Sequence, residues 1–310
     1  MWPLAARAQQ SAMPMIGFLH AASAEQNVQR LAAYRKGLSE AGFSESQNLA
    51  IDFRWAGGHV DQLPNMAADL IRRQVAVIAT PGSTDAAVAA KSATTTIPIV
   101  FGVGGDPVAL GLVASVTRPG GNVTGITSLN ADIAAKRLGL IRELAPQAVR
   151  YFALVNPTSV LARPFIKDLQ AGAASLGLEV EILHASTDAE VEAAFAKLVQ
   201  QPVLLVSTDA FFFSRHTQIA QLAAHHMVPA IFDNREYAMA GGLMSYGADF
   251  LNVMQLAGVY TGRILKGEKP ADLPVMQSTK YELVINLRTA KALRLKISDN
   301  LLSIADEVIE

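Results

Sequence analysis

Residues 75–87 read VAVIATPGSTDAA, and residues 203–213 read VLLVSTDAFFF. Each is a near-continuous apolar run that ends abruptly in hydroxyl-bearing and acidic residues. A strand that is apolar at every position, rather than at every second one, is a central parallel strand covered by helices on both faces. The polar residues that follow then lie at its carboxyl end. In the first half the run leads through a helical stretch to Ile97-Pro98-Ile99-Val100-Phe101 and then Gly104-Gly105-Asp106. In the second half it leads to Val228-Pro229-Ala230-Ile231-Phe232 and then Asp233. Both halves follow one order of strand, hydroxyl-rich turn, helix, strand and polar turn, through common ancestry or through shared α/β grammar.

Outward from these two runs, strands are expected at 15–20, 49–55, 75–80, 97–103, 150–156, 178–184, 203–209, 228–233 and 243–246. The segment LEVEILH at 178–184 alternates, which places it near a sheet edge. Between the strands the period becomes helical. Leu63, Met66, Ala67, Leu70 and Ile71 form one apolar stripe, and Phe165, Ile166, Leu169, Ala173 and Leu176 form another. Gly177 stands where a left-handed residue ends a helix, and Thr187 with Glu190 spells a capping box. This regular alternation of strand and helix predicts a parallel α/β sheet. About ten strands in 310 residues fit two smaller sheets better than one barrel.

Turn-forming clusters at Arg118-Pro119-Gly120-Gly121-Asn122, Ala240-Gly241-Gly242 and Gly267-Glu268-Lys269-Pro270 mark three chain crossings. They divide the chain into lobe 1 (residues 13–124 plus 243–272) and lobe 2 (residues 125–242 plus 273–310), an arrangement suited to a three-crossover hinge. Residues 1–12 form a separate N-terminal tail. Within it, Ala6-Arg7-Ala8 before Gln9 has the small-x-small pattern left of a signal-peptidase cut, so the tail reads as the remnant of an export signal.

Twenty-six Lys and Arg against twenty-seven Asp and Glu leave a formal charge of −1, which gives no electrostatic reason to expect nucleic acid as partner. The chain has no cysteine, which excludes disulfides, thiolate metal sites and a cysteine nucleophile. The six histidines are scattered; His225 and His226, being adjacent, diverge on a helix instead of pairing on a metal. No HExxH or GxSxG motif occurs, and the Gly102/Gly104 pair is followed by Pro107 where a dinucleotide fingerprint needs its third glycine. The expectation is a binding protein, not an enzyme, with no cofactor and no metal.

In open parallel sheets, ligands sit beyond the carboxyl ends of the strands. There Thr80, Ser83 and Thr84 offer hydroxyls and helix N-terminal N–H groups to an anion such as a carboxylate, or cap their helix. Gly105 allows backbone to approach a ligand, while Asp106 either caps a helix begun by Pro107 or reaches the ligand. Ser207, Thr208 and Asp209 supply polar handles in the second half. Among Phe211, Phe212 and Phe213, alternation in an extended segment leaves at most alternate rings facing the core, so Phe211 is a candidate ligand contact. Asp233 either pairs with an ammonium or caps the turn at 235–239.

Several segments carry a resemblance: WPLAARAQQ (2–10), IPIVFGVGGDPV (97–108), RPGGNVTGIT (118–127), GRILKGEKPADLPV (262–275) and ELVINLRTAKAL (282–293). Together they resemble the substrate-binding proteins of ABC importers with the type I periplasmic binding protein fold, in particular the branch that binds aromatic amino acids. The resemblance implies two Rossmann-like lobes with parallel sheets that clamp a small ligand and deliver it to an ABC permease in the inner membrane. With the export-signal pattern and no apolar run of the ~18 residues needed to span a bilayer, the chain is expected to be soluble and periplasmic, and a monomer suits such a shuttle. Carried over by position, Thr80, Ser83, Thr84 and Gly105 hold a ligand carboxylate, and Asn156, Thr208 and Asp233 hold its ammonium. NPTSVLARPF at 156–165 departs from the Gly-Glu-Ala-Asn-Ser-like stretch of that branch, which bears on the identity of the ligand. The alternative is a ligand-sensing module of a receptor or regulator.

Overall fold

The computed structural model describes residues 13–310; the export-signal reading at 1–12 lies outside the described residues. The strands are β1 (Met15–His20), β2 (Ala50–Trp55), β3 (Val77–Pro81), β4 (Ile99–Val103), β5 (Val123–Thr127), β6 (Arg150–Val155) and β7 (Val180–His184). They continue with β8 (Pro202–Val206), β9 (Ala230–Phe232), β10 (Met244–Ala248), β11 (Met276–Gln277), β12 (Tyr281–Asn286) and β13 (Glu307–Ile309). The helices are α1 (Val28–Glu40), α2 (Leu63–Arg72), α3 (Thr84–Ala93), α4 (Ala134–Leu144), α5 (Ala162–Leu176) and α6 (Asp188–Ala196). After them come α7 (Ala210–Ser214), α8 (His216–His225), α9 (Arg235–Met239), α10 (Phe250–Leu265), α11 (Leu287–Ala292) and α12 (Asp299–Ile304). Among the described residues no helix is long and apolar enough to cross a membrane.

Two sheets organise two lobes. The first has the order β11-β5-β4-β3-β1-β2 and the second β13-β12-β10-β9-β8-β6-β7. The pairings are parallel except for β10 with β12, which is antiparallel. Each sheet has apolar clusters on both faces, which is why runs such as VAVIA and VLLV carry no polar position. The alternating segment at 178–184 forms the edge strand β7, paired only with β6. The capping box at Thr187 and Glu190 opens α6 and the left-handed Gly177 closes α5, as the sequence predicts.

The chain changes sheets three times, each time later than the turn clusters suggest: between Thr127 and Asn130, at Asp249, and between Gln277 and Tyr281. Residues 244–248, expected in lobe 1, are strand β10 of the second sheet. The physical reason is that each Gly- or Pro-rich cluster leads the chain into one more strand of the sheet it is leaving, β5, β10 or β11, and the crossing follows at that strand's far end. Strands β5, β11, β12 and β13 are additional to those read from periodicity; VTGIT and YELVIN are too polar at alternate positions to stand out as buried runs.

On one face of the first sheet α1 and α10 lie in close contact, because two glycines meet there. A Cβ on Gly37 would stand 1.9 Å from the Gln255 carbonyl oxygen, and one on Gly258 would stand 2.1 Å from that of Tyr34. This contact fixes Arg30 on α1 and Phe250 on α10 beside the cleft between the lobes.

Candidate functional site

The carboxyl ends of β1, β3 and β4 face those of β6, β8 and β9 across a tight chamber with a cavity volume of about 30 Å³. Lobe 1 contributes His20, Arg30, Gly82, Thr84, Asp85, Gly104 and Phe250 to its walls. Lobe 2 contributes Ser159, Leu161, Thr208, Asp209, Ala210, Phe213, Asp233 and Asn234.

The lobe 1 wall carries the free donors His20 Nε2–H and the N-terminus of α3, alongside the Asp85 carboxylate. His20 ends β1; its Nδ1 accepts the Ala22 N–H at 3.0 Å, so the ring proton sits on Nε2, which has no partner. Burial and the nearby Arg30 push the pKa of His20 down to about 3, and the ring is neutral at ordinary pH. Trp55 packs on it, with ring centroids 5.0 Å apart. The left-handed Gly82 (φ +81°) turns the chain from β3 into α3, and a Cβ there would press within 2.9 Å of the Phe250 ring. Thr84 begins α3 and accepts the Gly104 N–H at 3.1 Å.

The lobe 2 wall is an acceptor surface. Asp209 caps α7 by accepting the Phe212 N–H at 3.0 Å, and Asn156 Nδ2 donates to both of its oxygens at 3.3 Å. Burial, together with the like charge of Asp85, pushes the pKa of Asp209 up to about 6. Burial also raises Asp233, opposed by the charges of Arg137 and Arg30. The Thr208 hydroxyl is buried without a partner.

Hydrogen bonds of Arg30 and Asp85 join the walls. Arg30 reaches from α1 to Glu236 Oε1 (3.0 and 3.1 Å) and Asn234 Oδ1 (3.2 Å). Its guanidinium lies between the rings of Phe213 and Phe250, 3.3 and 4.1 Å from their centroids. Elsewhere in the chamber, Asp85 Oδ1 of lobe 1 accepts the Val160 N–H of lobe 2 at 3.0 Å. Burial raises the pKa of Asp85, an effect the Val160 bond opposes.

Of the sequence-predicted site residues, Thr84, Thr208 and Asp233 line the chamber. Thr80 is fully buried in β3 with its hydroxyl unpaired, and Ser83 spends its hydroxyl on the Ala21 N–H at 3.1 Å, tying β3 to β1. Gly105 packs under Leu161, and Asn156 stands behind Asp209. Asp106 is exposed in a groove outside the chamber. It caps a turn, not a helix, accepting the Val108 N–H at 2.8 Å. Phe211 packs under Arg215, whose guanidinium lies 3.8 Å from its ring centroid, and Phe213 is the ring in the chamber. The alternation argument fails there because residues 210–214 are helical.

Sequence reading missed His20, Arg30, Asp85 and Phe250 as site residues, named Asp209 only as a polar handle at the strand end, and chose Phe211 of the three rings where Phe213 lines the chamber. Two signals were present. His20 ends a central strand, and Ser-Thr-Asp-Ala occurs twice, at 83–86 and 207–210, each time where a strand gives way to a helix. Arg30 and Phe250 carry no local signal, since their place follows from the α1–α10 contact.

The profile of a family described as ABC transporter substrate binding protein matches residues 18–309. The chain belongs to this family. Among other members, a tyrosine-binding protein of Clostridioides difficile (strain R20291) is 31% identical over 260 residues, covering 83% of this chain and 74% of that protein. A conserved domain protein from Vibrio cholerae superposes with a TM-score of 0.88 at 26% identity, over 96% of this chain and 99% of that one. The ABC domain from Streptococcus pneumonia in complex with L-Trp gives 0.87 at the same identity and coverage. A ligand-free, open substrate binding protein with adhesive properties from Clostridium difficile also shares 26% identity and the same coverage, but its TM-score is 0.66. This ABC substrate-binding protein has its lobes closed, as the Arg30 and Asp85 contacts require.

Proposed function

We propose that this protein is the exported, periplasmic component of an ABC importer that closes around an amino acid, an aromatic one favoured, and delivers it to an inner-membrane permease. The observation that carries this reading is the unlike chemistry of the two walls. His20 Nε2–H and the α3 N-terminus on lobe 1 suit a carboxylate, and the carboxylates of lobe 2 suit an ammonium. A zwitterion satisfies both at once and needs both lobes. The tyrosine-binding relative and the L-Trp complex support the amino-acid class and its aromatic side chain. Ligand bound between the walls stabilises the closed arrangement over the open one, and the permease reads that arrangement.

The test is a thermal-shift screen of protein that has been unfolded, dialysed and refolded to strip bound solute. The twenty amino acids and small carboxylates are the probes. A ligand at about 100 times its Kd adds about 2.7 kcal/mol to the folded state. The expected outcome is a clear shift with Tyr, Trp or Phe. Trp55, packed on His20, provides a fluorescence readout of the same event. Shifts confined to solutes without an amine would refute the amino-acid reading.

A further inference from the structure

The Gly104-Gly105 pair follows β4, and backbone conformation does not demand it, since neither residue has a positive φ. Space does. A Cβ on Gly104 would stand 3.0 Å from Leu161 Cδ1 and 3.2 Å from Thr208 Cγ2, and one on Gly105 would stand 2.9 Å from Leu161 Cδ2. Leu161 and Thr208 belong to lobe 2. The glycines thus keep open a socket in lobe 1 for side chains of the opposite lobe.

The socket is held by its own hydrogen bonds. The Gly104 N–H donates to Thr84 Oγ1 at 3.1 Å, and the Gly104 carbonyl accepts the Ala131 N–H at 2.8 Å. The Gly105 carbonyl accepts the Thr127 hydroxyl at 2.8 Å. Thr127 and Ala131 flank the first crossover between the lobes, so the socket is anchored at the hinge. With these polar groups engaged, the pair offers mainly bare backbone, a surface that suits a hydrocarbon side chain.

Leu161 fills it. This residue precedes α5, is 4% exposed, and belongs to an apolar core of lobe 2. Leu110 of lobe 1 forms the rim: its Cδ1 lies 3.5 Å from the Cβ position of Gly105, and it packs against apolar cores of both lobes. Beside Leu161 in the chain, the Val160 N–H makes the bond to Asp85 across the lobes. Separation of the lobes uncovers Leu161, so the seated side chain favours the closed arrangement by the hydrophobic effect.

We infer that Leu161, seated in the Gly104-Gly105 socket, is a positioning residue that sets the balance between the open and closed arrangements, and through it the affinity for any solute that closes the lobes. It stands on the two-lobed binding fold and not on the amino-acid reading of the chamber. A residue that acts through closure changes the affinity of every ligand by one factor, because only the population of the competent arrangement moves. A residue that touches the ligand discriminates between ligands. Leu161 lines the chamber and Gly105 does not, so the two positions together separate these roles.

The experiment compares wild type with Leu161→Ala, Gly105→Ala and the double variant, each unfolded and refolded to strip bound solute. Calorimetry and stopped-flow release with L-tyrosine and with L-phenylalanine read the affinity. Leu161→Ala is expected to weaken both ligands by one common factor, on the order of tenfold to a hundredfold, the scale of burying a leucine side chain. Gly105→Ala should weaken both by a smaller common factor, because its methyl displaces Leu161. The double variant should lose less than the product of the two factors, since the shortened side chain at 161 leaves room for the methyl at 105. A ligand-free arm uses the absence of native cysteine. Val28→Cys on lobe 1 and Met239→Cys on lobe 2, both exposed on one groove, are joined by a short bis-maleimide at a rate that follows the closed population. Leu161→Ala and Gly105→Ala should each slow that joining several-fold in unliganded protein. Losses that differ tenfold between the two amino acids, independent effects in the double variant, or an unchanged joining rate would overturn the inference. Wild type that binds neither amino acid would overturn the amino-acid reading alone, and the joining rate would still decide this one.

Discussion

Ser-Thr-Asp-Ala at 83–86 and at 207–210 occupy equivalent places in the two lobes and perform different work. In lobe 1 the threonine is committed within its own lobe, to the Gly104 N–H, and the aspartate reaches across to Val160. In lobe 2 the threonine hydroxyl is unpartnered, and the aspartate is held by its own lobe through Phe212 and Asn156. One tetrapeptide therefore supplies a bridging acid on one wall and a helix-capping acid on the other. The difference lies in neighbours that only the fold brings together.

The two buried arginines near Asp233 give the largest contrast. Arg137→Ala removes a wholly buried cation and leaves Asp233 without its partner inside lobe 2, so chemical denaturation should show a loss of about 3 to 5 kcal/mol. Arg30→Ala acts between the lobes. It should leave the unliganded melting curve nearly unchanged while weakening ligand affinity by about tenfold to a hundredfold, mainly through faster release in stopped-flow measurements. Equal effects of both variants on stability would erase the distinction between a core charge and a lip contact.

Next comes pH. The pKa of Asp209 is raised to about 6 in the folded protein, so its contribution to stability is present below about pH 4 and is lost as pH rises through 6. Asp209→Asn should accordingly melt higher than wild type at pH 7 without ligand, with the gain gone at pH 4. Ligand affinity of wild type should move oppositely, rising with pH through about 6 and levelling above 7. An affinity that is flat between pH 5 and 7 would show that Asp209 does not meet the ligand. The smallest contrast lies between the threonines. Thr84→Val should cost about 1 kcal/mol of stability by leaving the Gly104 N–H unmatched. Thr208→Val should leave stability unchanged and cost about 1 kcal/mol of binding.

Much of the fold is legible in the sequence because burial on both faces writes itself as uninterrupted apolar runs. VAVIAT, YFALV and VLLVST each mark a central strand, and LEVEILH marks an edge. The hinge is less legible, since RPGGN and AGG announce a turn one strand before the crossing, and β12 closes the second sheet antiparallel after it. Within the site, the rule that ligands gather at strand carboxyl ends reaches Thr84, Thr208 and Asp233. It does not separate residues that face the chamber from those that brace it. Ser83 and Asn156 look like ligand contacts by type and position, yet their polar atoms are spent on Ala21 and Asp209. Arg30 was invisible because a helix-packing contact between Gly37 and Gly258 brings it to the cleft.

The central claim is that a zwitterion joins a donor wall to an acceptor wall and so holds the lobes together. Small-angle X-ray scattering of stripped protein, with and without saturating L-tyrosine, tests it most directly. The account predicts a smaller radius of gyration with ligand, and a liganded curve that matches the closed arrangement described above. Saturated binding with no change in the scattering curve would contradict it.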